Sequence, residues 1–204
     1  MYIAIEGVIG VGKTSLATLL QDEYNAQAVM EVFEENPFLS SFYHEPERYA
    51  FQVQVAFLLS RYQQQRVIGE QAGRRSLVSD YLFAKDQLFA RLNLSGDEWE
   101  TYHQLYHVMA ERIIRPDLVV YLRASTDTLM ERITRRGRPY EKNMARQYIE
   151  RLAATYEAFF ATYNPSPLLI IDSDGLDFVG CQGDLRYVRQ QLDAALGRVQ
   201  VVIS

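Results

Sequence analysis

The sequence predicts an α/β fold in which a five-stranded parallel sheet carries helices on both faces. Two observations support this prediction. Short apolar runs alternate with helical patterns along the chain, and most of these runs lack polar alternation, as expected for parallel strands covered on both faces. In addition, the first apolar run leads directly into a glycine-rich loop and a helix, which is how a right-handed β–α crossover begins.

The predicted strands lie in five short runs. They comprise residues 2–5, 28–32, 77–79, 118–122 and 168–171. The predicted helices comprise residues 14–24, about 48–71, 97–114, 126–135, about 145–163 and 185–196. Ser125 is placed to cap the helix at 126–135, and Asp127 complements the dipole in its first turn. The tail at residues 199–203 fits either an extra edge strand or a frayed end.

The composition is that of a globular protein. The chain is 48% hydrophobic and carries a net charge of −5, so we expect a real core and no nucleic-acid-binding surface. No internal repeat or linker divides it, and one domain spanning residues 1–204 is expected. No apolar run approaches the roughly 18 residues of a membrane-spanning helix. Cys181 is the single cysteine, and no secretory signal pattern is present, so a cytoplasmic location is expected.

A complete phosphate-binding motif lies near the start of the chain. It matches G-x-x-x-x-G-K-[ST] and reads Gly7-Val8-Ile9-Gly10-Val11-Gly12-Lys13-Thr14. Backbone N–H groups of such a loop, together with the helix dipole, bind phosphate oxygens. Lys13 then reaches the β- and γ-phosphates, and the Thr14 hydroxyl holds Mg²⁺. The motif and the adjacent Ser15 therefore predict a site for a nucleoside triphosphate.

Two acids follow predicted strands at the edge of the sheet where α/β proteins bind ligands. Glu31 leaves the second strand, and Asp80 leaves the third. A carboxylate at either position faces the phosphate loop, so Asp80 is predicted to hold Mg²⁺ or to orient an acceptor hydroxyl. Which of the two acids accepts a proton stays open from the sequence.

Arginines cluster around the end of the 126–135 helix. Arg132 and Arg136 are four residues apart and share one face, Gly137 ends the helix, and Arg138 follows in the loop. Guanidinium groups suit the charge of a transferring phosphoryl group, which predicts an arginine-bearing lid at about residues 136–143. The alternative is a solvated basic helix end that complements the dipole.

The helix predicted at residues 48–71 is apolar on more than one face. A helix of this kind is buried more than one layer deep. Packing against a second subunit is one way to bury it, and a symmetric dimer through this helix is the expected result.

Taken together, these segments resemble the deoxyribonucleoside kinase family, and most closely its bacterial deoxyadenosine and deoxyguanosine kinases. The resemblance covers nearly the whole chain and implies a P-loop kinase fold. It further implies transfer of phosphate from ATP, with Mg²⁺, to the 5′-hydroxyl of a deoxyribonucleoside, giving the 5′-monophosphate for nucleotide salvage. Purine deoxynucleosides are the implied substrates, with deoxycytidine as a further one.

The resemblance assigns roles to residues on both sides of the predicted site. The segment "EVFEENPF" implies that Glu31 lies near the 5′-hydroxyl. Tyr43 and, in "RRGRPYE", Glu141 match residues that contact the sugar 3′-hydroxyl. In "SDYLFAKD", Asp80 matches an acid implied in catalysis, and Tyr81 replaces an arginine found in most members. The segment "IIDSDGLDF" resembles the part that packs around adenine, through three residues: Leu176, Asp177 and Phe178.

The base is predicted to bind along the 48–71 helix. "FQVQVAFLLSR" resembles the base-binding helix of the family, and Gln54 and Arg61 match its polar residues. Their spacing of seven residues, close to two turns, puts both on one face. Asp86 matches a base-recognising aspartate and is expected to pair with Arg61.

Two rival functions remain open from the sequence. A thymidylate-type nucleoside monophosphate kinase shares the fold and the arginine lid, but an acceptor phosphate needs further cationic ligands, and Tyr81 stands where one would be. A non-catalytic nucleotide-binding subunit is the second rival, which the departure at Tyr81 suggests. The expected assembly is a homodimer through the helix at 48–71, with a heterodimer with a paralogous kinase as the alternative.

Overall fold

The computed structural model describes residues 1–32, 35–138, 141 and 144–197. Its centre is a sheet in the order β2-β3-β1-β4-β5, in which every neighbouring pair is parallel. The strands are β1 (Tyr2–Gly7), β2 (Ala26–Val29), β3 (Ser76–Ser79), β4 (Leu118–Arg123) and β5 (Leu168–Asp172). The predicted five-stranded parallel sheet is therefore confirmed.

Helices connect the strands. Within the described residues they are α1 (Lys13–Glu23), α2 (Leu39–His44), α3 (Pro46–Gln71), α4 (Lys85–Asn93), α5 (Gly96–Ala110), α6 (Thr126–Arg136), α7 (Arg146–Ala161) and α8 (Gln182–Ala195). All six predicted helices are present, with ends shifted by a few residues. The sequence did not predict α2 and α4, because both are short and neither begins with a side chain that caps it.

The sheet forms the frame that positions the site. All six residues of β1 are buried, and apolar side chains from α1, α6, α7 and α8 pack with the strands in one core. Each fully buried aliphatic side chain there stabilises the fold by about 1.5–3 kcal/mol. The register pairs Ala4 with Ser79 and Gly7 with Leu122. The phosphate loop and the segment after β3 therefore leave the same edge of the sheet.

The second strand ends earlier than predicted. Residues 28–32 were expected, but β2 ends at Val29, which pairs with Ser79, the last residue of its neighbour β3. Beyond this point no strand continues beside the chain, so it turns away from the sheet. The turn carries the Glu31 side chain toward α3 and α4.

A second apolar cluster lies between α3, α4 and α5. It is built from seven buried residues: Ala50, Leu58, Phe83, Ala90, Leu94, Tyr102 and Tyr106. α3 also exposes Leu59 and Val67, and the region of α5 exposes Leu105, Val108 and Ile114. The long helix is therefore buried on the side that faces this cluster and the sheet, and it leaves apolar residues on its outer side.

Some sequence predictions fall outside the described residues. The tail at 199–203 does, and so do four residues of the predicted lid, Pro139, Tyr140, Lys142 and Asn143. In the part of the chain that is described, no helix has the length and apolar character needed to cross a membrane.

Candidate active site

The phosphate loop connects β1 to α1 and depends on two glycines. Gly10 and Gly12 have φ of 88° and 109°, a region that glycine tolerates and other residues rarely adopt. A Cβ atom at Gly10 would lie 2.8 Å from Ile133 of α6, and one at Gly12 would lie 2.9 Å from the ring of Phe178. The loop is thus packed tightly against the helix that carries the arginines and against the segment after β5.

Lys13 lies across the loop. Its Nζ donates to the carbonyl oxygens of Gly7 at 2.7 Å and Val8 at 3.2 Å. Burial, and then the like charge of Lys85, lower the pKa of Lys13 to about 8. Because its partners are neutral carbonyls, the lysine charge is not cancelled by a carboxylate within hydrogen-bonding distance in the described structure.

Thr14 and Asp80, the predicted magnesium ligands, are brought together. Thr14 Oγ1 donates to Asp80 Oδ2 at 2.6 Å, and Asp80 Oδ1 accepts the backbone N–H of Glu31 at 2.6 Å. A hydroxyl and a carboxylate are hard oxygen donors, so the pair fits Mg²⁺, which takes few protein ligands and completes its shell with phosphate and water. Among the described residues, no group of three or more His, Cys, Asp or Glu side chains is placed to hold a metal ion.

The larger cavity, here the donor cavity, runs from the phosphate loop to the segment after β5. Its lining is Gly10 to Ser15, Thr128, Glu131, Arg132, Arg135, Arg136, Arg138 and residues 174–179. It contains most of the predicted ATP-binding residues, including Leu176, Asp177 and Phe178. Of the others, Gly7 and Val8 are buried under the loop, and Ile9 lines the neighbouring cavity.

Arg132 joins the two walls of the donor cavity. Its guanidinium donates to the carbonyl oxygens of Val11 at 3.1 Å, Ser173 at 2.7 Å and Leu176 at 3.3 Å. These partners belong to the phosphate loop and to the segment after β5. Arg132 therefore holds together the two stretches that form the cavity.

The smaller cavity, here the acceptor cavity, lies on the other side of the loop. Five predicted nucleoside-binding residues line it: Glu31, Tyr43, Gln54, Arg61 and Glu141. Its remaining wall is largely apolar and aromatic, from Leu39, Phe42, Val53, Phe57, Phe89 and Tyr148. Gly10, Lys13, Thr14, Arg136 and Arg138 line both cavities. The two cavities therefore meet at the phosphate loop and the predicted lid arginines.

Four charged residues with little exposure form a charge quartet: Glu31, Arg61 and Lys85, which line the acceptor cavity, and Asp86, which does not. Arg61 Nε donates to Glu31 Oε1 at 2.8 Å, its NH2 donates to the same oxygen, and its NH1 pairs with Asp86 Oδ1. Lys85 Nζ donates to Glu31 Oε2 at 2.7 Å. Two cations and two anions are thus paired, as burial of charge requires.

The quartet sets the pKa of Glu31. Burial acts to raise that pKa, but the charges of Arg61 and then Lys85 outweigh it and hold the pKa of Glu31 well below its usual range. Glu31 is therefore ionised at neutral pH.

Two buried acceptors beside the cavity lack partners among the described residues. They are Asp86 Oδ2 and Gln54 Oε1. Asp86 is fully buried, and burial, with the charge of Glu31 added to it, raises the pKa of Asp86 to about 6 despite the attraction of Arg61. An unpaired buried acceptor costs about 1–3 kcal/mol. Gln54 lines the acceptor cavity, so its Oε1 is available to a bound molecule, whereas the fully buried Asp86 does not line the cavity and lies beside it through its pairing with Arg61.

The predicted lid begins at the end of α6. Gly137 has a left-handed φ of 67° and ends the helix where the sequence predicts. Arg136 donates to Glu141 through Nε at 3.1 Å and NH2 at 2.5 Å, and Arg138 NH1 lies 3.8 Å from Glu141 Oε1. The carboxylate of Glu141 therefore holds both arginines beside the shared part of the two cavities.

Two residues of the site region, Lys85 and Glu6, were missed by sequence reasoning. Lys85 begins the unpredicted helix α4, and its only signal was a lone lysine in an apolar stretch. Glu6 is fully buried and accepts from Gly7 N at 2.8 Å, Tyr156 Oη at 3.0 Å and Leu82 N at 2.7 Å. Tyr81, noted in the sequence as a departure, is fully buried and lines neither cavity.

Comparison with known proteins matches this architecture to one family. A family model described as deoxynucleoside kinase matches residues 3–194. A deoxyguanosine kinase of Bacillus subtilis is 34% identical over 193 residues, which cover 92% of this chain and 93% of the relative. A deoxyadenosine kinase of Lactobacillus acidophilus is 31% identical and covers 97% of each chain. The structure of deoxyadenosine kinase from M. mycoides with bound dCTP aligns with a TM-score of 0.82 at 26% identity, over 95% of this chain and 100% of the other.

Proposed function

The chain belongs to the deoxynucleoside kinase family, and from that premise we propose that it uses ATP to phosphorylate the 5′-hydroxyl of purine deoxyribonucleosides. The observation that carries the proposal is the meeting of two cavities at one phosphate loop. A triphosphate on one side and a nucleoside on the other would bring the γ-phosphate and the 5′-hydroxyl together at Lys13 and Thr14. Positioning of this kind is the main contribution of an enzyme to phosphoryl transfer.

In the donor cavity, the phosphates of ATP bind the N–H groups of the phosphate loop. Lys13 and the lid arginines Arg136 and Arg138 stabilise the charge that spreads over the transferring group. Mg²⁺, which Thr14 and Asp80 would hold, neutralises charge on the β- and γ-phosphates when it is bound. Leu176, Asp177 and Phe178 contact the adenine.

In the acceptor cavity, Glu31 orients the 5′-hydroxyl. Its depressed pKa makes it a weak base, so orientation contributes more than proton removal, which comes late in a loose transition state. Asp80 is the alternative proton acceptor, and it lies one hydrogen bond from the backbone of Glu31. Tyr43 and Glu141 contact the sugar 3′-hydroxyl.

The base binds between the aromatic wall and α3. Gln54 presents an amide with one donor and one acceptor, and Asp86 Oδ2 accepts an N–H of the base. Relatives named deoxyguanosine, deoxyadenosine, and deoxyadenosine/deoxycytidine kinase support a base that carries an amino group.

We also propose a homodimer through the outer side of α3. Leu59 and Val67 on α3 are exposed, as are Leu105 and Val108 on α5, which together offer an apolar surface for a second copy. Leu59→Glu combined with Val67→Glu should convert the dimer to a monomer in light scattering. An unchanged mass would exclude this surface.

The free thiol of Cys181 supports the proposed cytoplasmic location.

One experiment separates this function from its rivals. The protein with Mg-ATP is assayed against the four deoxynucleosides and their 5′-monophosphates, with ADP release and product identity measured. Phosphorylation of free deoxyadenosine or deoxyguanosine is expected. Turnover of thymidine monophosphate alone would establish the monophosphate kinase, and no turnover with any acceptor would establish the non-catalytic subunit.

A further inference from the structure

We propose that Lys85 is a positioning residue that holds Glu31 in the orientation needed for phosphoryl transfer. The inference rests on the proposed contact between Glu31 and the 5′-hydroxyl. It is carried by an arrangement of hydrogen bonds in which two cations hold different oxygens of one buried carboxylate.

Arg61 donates to only one of the two carboxylate oxygens of Glu31. Its Nε and NH2 both donate to Oε1, whereas a guanidinium fork paired with a carboxylate commonly gives one hydrogen bond to each oxygen. Oε2 is instead held by Lys85 Nζ at 2.7 Å. Lys85 therefore prevents the Glu31 carboxylate from rotating to form a bidentate ion pair, in which each of its oxygens would accept one hydrogen bond from Arg61.

The two cations also differ in what else they bind. Arg61 is shared, since its NH1 pairs with Asp86, so its position is tied to the base-reading end of the cavity. The ion pair of Lys85 in the described structure is with Glu31 alone. Lys85 is 5% exposed and lines the acceptor cavity at the first turn of α4. Orientation of Glu31 is thus its distinct contribution.

The backbone of Glu31 is fixed separately. Its N–H donates to Asp80 Oδ1, so the main chain stays in place when Lys85 is changed. Loss of the lysine should therefore rotate the carboxylate about its side-chain bonds, and it should move Oε2 from the position of the acceptor hydroxyl toward Arg61. A misplacement of about 1 Å is enough to slow a reaction by roughly 100-fold.

The test is a double-mutant cycle on the full chain with Mg-ATP and deoxyadenosine or deoxyguanosine. Lys85→Met should lower kcat by about 10- to 100-fold, with little change in KM for ATP. Lys85→Arg, which keeps the charge, should recover part of the loss. In a Glu31→Gln background, Lys85→Met should cost nothing further, because its effect passes through Glu31. Arg91→Met, which removes an exposed cation from the same helix, is the matched control and should retain normal kcat.

The outcomes separate this inference from the proposed function. Normal kcat in Lys85→Met would overturn the inference while leaving the kinase assignment intact. A full multiplicative loss in the double variant would also overturn it, because Lys85 would then act on the phosphate directly. Normal kcat in Glu31→Gln would remove the role of Glu31 on which the inference rests. If Lys85→Met does not fold, by circular dichroism, Lys85→Gln takes its place in the same cycle.

Discussion

The donor and acceptor cavities share one edge but compensate their charges differently. On the donor side, Lys13 and Arg132 donate to backbone carbonyls, which are dipoles without net charge, whereas Arg136 and Arg138, which line both cavities, pair with Glu141. On the acceptor side, Arg61 and Lys85 donate to carboxylates, and the charges cancel in pairs. Cations held by carbonyls keep their charge for an incoming anion, whereas cations held by carboxylates do not. The difference suits a triphosphate on one side and an uncharged nucleoside on the other.

The largest effect is expected in the donor cavity, from removal of the positive charge of Lys13. Lys13→Ala should lower turnover by about 10³-fold, the upper range for loss of one group that stabilises charge in a transition state. Steady-state kinetics at saturating nucleoside will measure the loss, and circular dichroism will check the fold. A folded variant with near-normal turnover would disprove the assignment of the phosphate loop.

On the acceptor side, Glu31→Gln removes the charge that orients the hydroxyl. Because the pKa of Glu31 is depressed, its loss as a base should lie near the lower end of the usual range, at about 10²-fold in kcat. Asp80→Asn is the comparison variant. If Asp80→Asn abolishes turnover while Glu31→Gln leaves kcat intact, the proton acceptor is Asp80.

Asp86→Ala tests the acceptor cavity separately from the donor cavity. It removes one negative charge from the quartet, and Asp86 does not line the donor cavity. The variant removes the carboxylate that pairs with Arg61, and with it the unpaired acceptor Oδ2. The expected cost is about 1–3 kcal/mol, or roughly 5- to 150-fold in kcat/KM. The loss should be large for deoxyadenosine, deoxyguanosine and deoxycytidine and small for thymidine, which has no exocyclic amino group. An equal loss on all four nucleosides would make Asp86 structural.

The smallest expected effect is the dependence of kcat/KM on pH. The pKa of Asp86 is raised to about 6, so the carboxylate is ionised above that pH and becomes protonated below it. Protonation removes an acceptor, so kcat/KM for deoxyadenosine should fall about tenfold from pH 7 to pH 5. Asp86→Asn should lack this acidic limb. A wild-type profile that is flat over this range would contradict the proposed contact with the base.

The same contrast explains what the sequence predicts and what it leaves out. The phosphate loop is one continuous segment whose contacts come from backbone N–H groups, so its motif alone reveals it. The quartet draws on the segment after β2, on α3 and on α4, and it forms only when these elements pack. Glu31 and Asp80 were predicted because each follows a strand, whereas Gln54, Arg61 and Asp86 were predicted because they match a family pattern, with which the helical spacing of Gln54 and Arg61 agrees.

Lys85 and the end of β2 depend on non-local packing. Ala84 precedes α4 without a capping side chain, so no local signal marks the helix that delivers the lysine. β2 ends where its neighbour β3 ends, and neither segment alone predicts a pairing between residues that are 50 positions apart in the chain. The predicted lid lies partly outside the described residues and stays a prediction.

Glu6 has a consequence for the sequences that this fold can accept. Its carboxylate receives donors from three separate segments: Gly7 N, Leu82 N and Tyr156 Oη. Glutamine, the nearest isostere, would turn an N–H toward at least one of these donors, and aspartate would fall one methylene short. In a saturation library, position 6 should tolerate almost no replacement, although Glu6 is fully buried and lines neither cavity. Intolerance at position 6 would therefore reflect the hydrogen bonds that connect the phosphate loop to neighbouring segments, and it would not indicate a contact with the substrate.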